Sequence, residues 1–211
     1  KVHRPDFCTL REGNVVKKAL LLKSALALAL ATPLLASAES QLVTGAGSAT
    51  ARLDFRVVVP RILFLAVGTG SGAFATNTTI DTVTFDYTGN PAAVGTGAAA
   101  AAVTGAVVPV RVVGNNGQVT LAASTTGALT NGTADTIPWT EITATTSLAA
   151  LPSPTIPATG AGTASNVTLS SGTRITDRSA NWTFSYANSA VVAPGTYGTT
   201  NGRVTYTAAM P

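Results

Sequence analysis

The run Ala51-Arg52-Leu53-Asp54-Phe55-Arg56-Val57-Val58-Val59-Pro60 decides how the chain is read. Its odd positions, Ala51, Leu53, Phe55, Val57 and Val59, are all apolar, and its even positions through Arg56 are charged. A strict period of two predicts a β-strand with one apolar face and one wet face. Pro60 has no N–H to give and ends the ladder. A second apolar run, Ile62 to Val67, begins almost at once. No Asn-Gly or similar hairpin turn separates the two, so they need not pair with each other. The first run is therefore read as a free arm that completes a sheet in another molecule.

Upstream, residues 39–50 (ESQLVTGAGSAT) are small and polar, which predicts a flexible tail. Residues 1–38 carry the marks of an export leader. Lys17 and Lys18 are basic, Ser24 to Ala36 is rich in Leu and Ala, and Ala36-Ser37-Ala38 is a cleavage signature. The apolar stretch falls short of the ~20 residues that span a bilayer, and Pro33 suits cleavage better than a retained anchor. Residues 1–14 do not fit a leader, and Val15 or Val16 is read as an alternative start. The expected division of the 211 residues is an upstream segment and cleaved signal peptide at 1–38, a tail and donor strand at 39–60, and one domain at 61–211.

The net charge of +4 belongs to the leader, where Lys1, Arg4, Arg11, Lys17, Lys18 and Lys23 outnumber Asp6 and Glu12. From Glu39 onward seven Arg balance seven acids, so no basic stripe argues for nucleic acid. The only Cys (Cys8), the only His (His3) and every Lys also precede residue 39. From Glu39 to Pro211 the chain can therefore form no disulfide and must be held by packing and sheet hydrogen bonds.

The same absences bear on catalysis. A Ser-His-Asp or Cys-His set cannot be assembled there, Schiff-base chemistry has no Lys, and zinc would find only carboxylates. Asp81 with Asp86, or Asp135 with Glu141, are carboxylate pairs of the kind a glycosidase uses, but sparse acids in a neutral β-protein more often form turns. No run of alternating Asp and Asn ligands argues for calcium. Gly68-Thr69-Gly70-Ser71-Gly72 lacks the following helix of a dinucleotide fingerprint and reads as a loop. The Asn-x-Thr sequons at Asn77, Asn131, Asn166 and Asn181 are expected by chance in so Thr-rich a chain. No enzymatic activity, metal or cofactor is expected.

Downstream, short alternating runs recur between Gly, Asn and Pro punctuation. A strand is expected around Ile80 to Tyr87, and Asn90 to Gly105 is a low-complexity loop, helical turn or short edge strand. Val108, Val110 and Val112, then Gly114-Asn115-Asn116-Gly117, then Val119, Leu121 and Ala123 read as a hairpin. Weaker strands come next at Ile137 to Ile142 and at Val167 and Leu169. Trp182, Phe184 and Tyr186 form an aromatic-faced strand, and Val204, Tyr206, Ala208 and Met210 alternate in a terminal one. This is the pattern of an all-β sandwich, with Trp139, Trp182, Phe64, Phe85 and Phe184 as expected core anchors.

A cleavable leader, a polar tail, an alternating arm, a Gly-punctuated all-β body and a terminal alternating strand together resemble a chaperone–usher pilin subunit. The layout is closest to the archaic and spore coat protein U-like group. Gly198, fourteenth from the end, with Val204, Tyr206, Ala208 and Met210 after it, is similar to the C-terminal zipper of pilins. Two features depart from the family: Met210 stands at the penultimate position where an aromatic is common, and the disulfide of many archaic subunits is absent.

The resemblance implies an incomplete immunoglobulin-like sandwich completed by donor-strand exchange. The donor would be Ala51, Leu53, Phe55, Val57 and Val59. The acceptor groove would be edged by Ile62 and Phe64 on one side and Val204, Tyr206, Ala208 and Met210 on the other. Implied partners are identical or related subunits, a periplasmic chaperone and an outer-membrane usher, with a host or abiotic surface as a further contact. The implied destination is an extracellular filament on the cell surface. The alternative is a secreted monomeric β-sandwich adhesin that binds surface glycans, with its arm folded into its own sheet.

Overall fold

A computed structural model of the chain describes residues 39–70 and 74–211. The leader assigned to residues 1–38 lies outside the described residues, as does part of the Gly68–Gly72 loop. Two units are distinguished, Lys1–Val58 and Val59–Pro211.

In the first unit, no strand or helix is assigned to the described residues. The tail folds back locally: the Glu39 carboxylate meets Arg52 Nε at 3.2 Å and accepts from Arg52 N, and Gln41 Oε1 accepts from Thr50 N at 3.0 Å. Leu53, Phe55 and Val57 are 76%, 86% and 83% exposed.

The second unit is all-β. Its strands are β1 (Leu63–Val67), β2 (Thr84–Asp86), β3 (Ala102–Thr104), β4 (Val107–Gly114), β5 (Thr120–Thr125), β6 (Leu129–Thr130), β7 (Thr136–Ile137), β8 (Ile142–Thr146), β9 (Gly160–Ala161), β10 (Ser165–Asn166), β11 (Thr176–Tyr186) and β12 (Thr205–Ala209). Helix is confined, among the described residues, to single 3-10 turns at Pro91–Ala93 and Trp139–Glu141. One antiparallel sheet runs β1-β4-β11-β8, and a second runs β10-β5-β12 with β9 also on β5. Their inner faces share one core of Val108, Val110, Val112, Ala180 and Trp182 from the first and Val119, Leu121 and Val167 from the second. The alternation of β4, β5 and β11 thus buries one face of each, as their sequences demand.

The expected Val108–Ala123 hairpin is corrected. β4 is flanked by β1 and β11, and β5 by β9, β10 and β12, so the two never pair. The chain instead arches from one sheet to the other. Gly114 makes room for the arch, since a Cβ there would lie 2.7 Å from Val119 Cγ2. The two asparagines spend their side chains on distant backbone: Asn115 Nδ2 donates to Pro60 O at 2.8 Å, Asn115 Oδ1 accepts from Ile62 N at 2.8 Å, and Asn116 Nδ2 donates to Pro211 O at 2.7 Å. A strand has only two edges, and both edges of β4 are taken by partners far apart in sequence.

Other expectations shift as well. The Ile80–Tyr87 run narrows to β2, because the Asp81 carboxylate accepts from Thr69 N at 2.6 Å and from Thr69 Oγ1 at 3.1 Å. Trp182 and Trp139 are buried, the latter donating its indole N–H to Gly127 O at 2.6 Å. Phe64 is not a core anchor: it packs edge-on against Phe74 with ring centroids 5.3 Å apart, and Arg111 lies over the Phe74 ring.

An open seam as the candidate functional site

β1 and β12 each close one main sheet, on the same side of the core. β1 hydrogen-bonds only to β4, and β12 only to β5. Neither bonds to the other.

Backbone alternation shows which groups face the seam. Ile62 O accepts from Asn115 N and Gly68 N donates to Pro109 O, so the even residues of β1 turn toward β4. Leu63, Leu65 and Val67 therefore point their N–H and C=O groups at the seam. In β5, Val119 O and Ala123 O accept from Val167 N and Gly162 N on the other flank. Its even residues then face β12, in register with Thr205, Thr207 and Ala209. The seam-facing groups of the last strand are those of Tyr206, Ala208 and Met210. Pro109 also explains where β1 stops: it cannot return a bond to Gly68, whose φ of +111° turns the chain away.

The same residues line the seam with apolar side chains. Leu65, Val67, Tyr206, Ala208 and Met210 are half-buried and packed on the core. Tyr206 lies against Trp182 with ring centroids 5.0 Å apart. Its hydroxyl is buried without a hydrogen-bond partner, and burial pushes its pKa up to about 12.

At the arch end the seam is pinched. A Cβ on Gly114 would meet Met210 Sδ at 3.4 Å and Leu63 Cδ1 at 3.7 Å, and Arg61 Nη2 donates to Met210 O at 3.1 Å. Pro60, where the arm joins, and Pro211 are both held at this end by the arch asparagines.

The acceptor residues named from sequence thus divide. Tyr206, Ala208 and Met210 face the core beside the seam, and Val204 precedes them, half-buried. Ile62 is 38% exposed, and Phe64 points to the opposite face of β1, beside a hollow of about 460 Å³ that Pro109, Ser179 and Asn181 also line. The inward residues of β1 are Leu65 and Val67, which sequence reasoning left unnamed. Their alternation was visible, but Phe64 drew the choice of face. The donor residues Ala51, Leu53, Phe55, Val57 and Val59 are exposed and join no ladder among the described residues.

Three of the four acids in the expected carboxylate pairs serve as acceptors for neighbouring backbone and hydroxyl groups. Asp81 serves Thr69, Asp86 accepts from Thr88 N at 2.8 Å, and Glu141 accepts from Ser189 N at 2.9 Å and from Ser189 Oγ. Those bonds hold Asp86 and Glu141 below the ordinary carboxylate range. Among the described residues no three His, Cys, Asp or Glu side chains gather as metal ligands.

No protein-family model, no curated protein and no solved structure matches this chain.

Proposed function

We propose that this chain is a structural subunit of an extracellular pilus or fimbrial filament. Its body is an incomplete immunoglobulin-like sandwich whose seam accepts the arm of a neighbour. The observation that carries the reading is the pairing of two complementary deficits. Two edge strands from different sheets face one seam over half-buried apolar side chains, and an alternating arm in the same chain has no sheet of its own.

The energetics favour such a union. Burying Leu53, Phe55, Val57 and Val59 at ~1.5–3 kcal/mol each gives ~6–12 kcal/mol gross per junction. Each new ladder hydrogen bond adds about 1 kcal/mol net. The arm from Ala51 to Val59 extends roughly 30 Å, and five-residue edges such as β1 and β12 need only about 17 Å of that. Left open, the seam exposes sheet edges, which accounts for a chaperone during export and an usher at assembly.

Polarity is set by where the arm leaves. β1 runs away from the arch and β12 runs toward it. A strand antiparallel to β12 places its own Pro60 beyond the far end of the seam, so each arch end meets a far end and the chain grows open-ended. The opposite direction would bring two arch ends together and close a reciprocal dimer. Arg61, Asn115, Asn116 and Pro211 crowd that mouth, which favours the open-ended arrangement.

The test is electron microscopy and light scattering of the protein from Glu39 onward, with and without residues 39–59. The full form should give filaments, and the truncated form should give none and melt lower. A truncated form that is a stable monomer with unchanged melting would end the proposal, as would discrete dimers of the full form. The two rings that a glycan-binding adhesin would use on this chain, Trp139 and Trp182, are both buried and offer no face to a sugar.

A further inference from the structure

Arg61 stands at the root of the arm and reaches across the pinched end of the seam to the last seam-facing carbonyl, that of Met210. Among the described residues no carboxylate pairs with it; the ion pairs are Arg52–Glu39 and Arg111–Asp177. Its backbone is held from behind, because Asn115 binds Pro60 O and Ile62 N on either side of it. Next to this bond the side chains of Leu63 and Met210 converge over Gly114, which has no side chain to keep them apart.

Spacing makes the contact consequential. A strand seated between two others needs them about 9.5 Å apart, twice the ladder spacing. β1 and β12 come within 8 Å of each other, Cα to Cα. The seam must therefore widen to accept a full-length strand, and one charge-assisted hydrogen bond ties its two sides together.

Resting on the strand-acceptor reading, we propose that Arg61 is a latch on the seam. It keeps the arch end shut in a free subunit, and an incoming strand opens it only by taking the Met210 carbonyl from the guanidinium. Entry then starts at the far end, along Val67 and Tyr206, and proceeds toward the arch. Pairing with Tyr206 and Ala208 precedes release of Met210. The latch slows the uptake of short or poorly matched strands, because only a strand already paired along Tyr206 and Ala208 is placed to displace Arg61.

The test uses a fluorescent peptide with the sequence of residues 50–60, monitored by anisotropy. It is added to the chain from Glu39 onward carrying Phe55→Asp, which leaves its own arm unable to assemble and its seam empty. This chain is the parent for the Arg61 variants. Arg61→Gln removes the charge, and Arg61→Met removes every donor at similar length. Both should take up the peptide about tenfold faster than the parent, the factor expected from losing one charged hydrogen bond. Arg61→Lys, which keeps a donor, should stay near the parent rate. Circular dichroism verifies that each variant is folded. Uptake at equal rates in the parent, Arg61→Gln and Arg61→Met would overturn the latch while leaving the acceptor reading intact. No uptake by any of them would overturn the acceptor reading, and the latch with it.

Discussion

Residues 51–59 and residues 204–210 carry nearly the same pattern, and only one of them is in a sheet. In the C-terminal run, Tyr206, Ala208 and Met210 lie on the core while Thr205, Thr207 and Ala209 pair with β5. In the arm, the apolar positions stand in solvent. The physical difference is what each run finds beside it. β12 has a free edge of β5 to pair with and Trp182 to cover. The arm ends at Pro60, which the arch fixes to Asn115, and it pairs with no strand among the described residues. Alternation, then, reports that a segment can be a strand, and says nothing of whose sheet it joins.

The sharpest way to break this comparison is to place one charge in each run. Ala208→Asp buries an uncompensated carboxylate against the core and should cost about 3–5 kcal/mol, enough to unfold much of the protein in a denaturant titration. Phe55→Asp should abolish assembly seen by light scattering and bring the unfolding midpoint down only to that of the unassembled form lacking residues 39–59. If the two substitutions destabilised the body equally, the arm would be part of its own fold after all.

A second effect sharpens the C-terminal side. The Tyr206 phenol is held protonated by burial, with a folded-state pKa of about 12 against an ordinary 10. Below pH 10 the ring is neutral in both folded and unfolded chains, so it contributes no pH dependence there. From pH 10 to about 12 the unfolded chain loses its proton first, and stability should fall by roughly 2–3 kcal/mol across that window. Tyr206→Phe should flatten that decline. It should also hold or slightly raise stability at neutral pH, because the hydroxyl it removes has no partner. A steeper alkaline loss in the Phe variant would contradict the placement of this ring.

The smallest effect belongs to the joint between the two regions. Asn115→Ala removes two side-chain hydrogen bonds at the arm root and should cost about 1–2 kcal/mol in thermal unfolding. No change would mean that the arch does not hold Pro60 in solution.

Much of the body was legible from periodicity. Trp182 and Trp139 were placed in the core and the terminal strand was recognised from its alternation, because burial selects the same face along a whole strand. The misreadings are as informative. Val108–Ala123 has every local mark of a hairpin, yet Asn115 and Asn116 bind residues 55 and 95 positions away in sequence. No short window of sequence carries that information. The size and apolar neighbours of Phe64 predict a groove and core residue, yet Phe74 with Arg111 holds it on the other face.

The amino-acid sequence by itself determined that this protein is built of strands, which face of most strands is apolar, and that the chain beyond residue 38 lacks the His, Cys and Lys of common catalytic sets. These are local properties, set by side-chain type and a period of two. Only the tertiary structure decided which edges stay open. Edge occupancy depends on which distant strands claim β4 and β5, and that is settled by packing over a shared core.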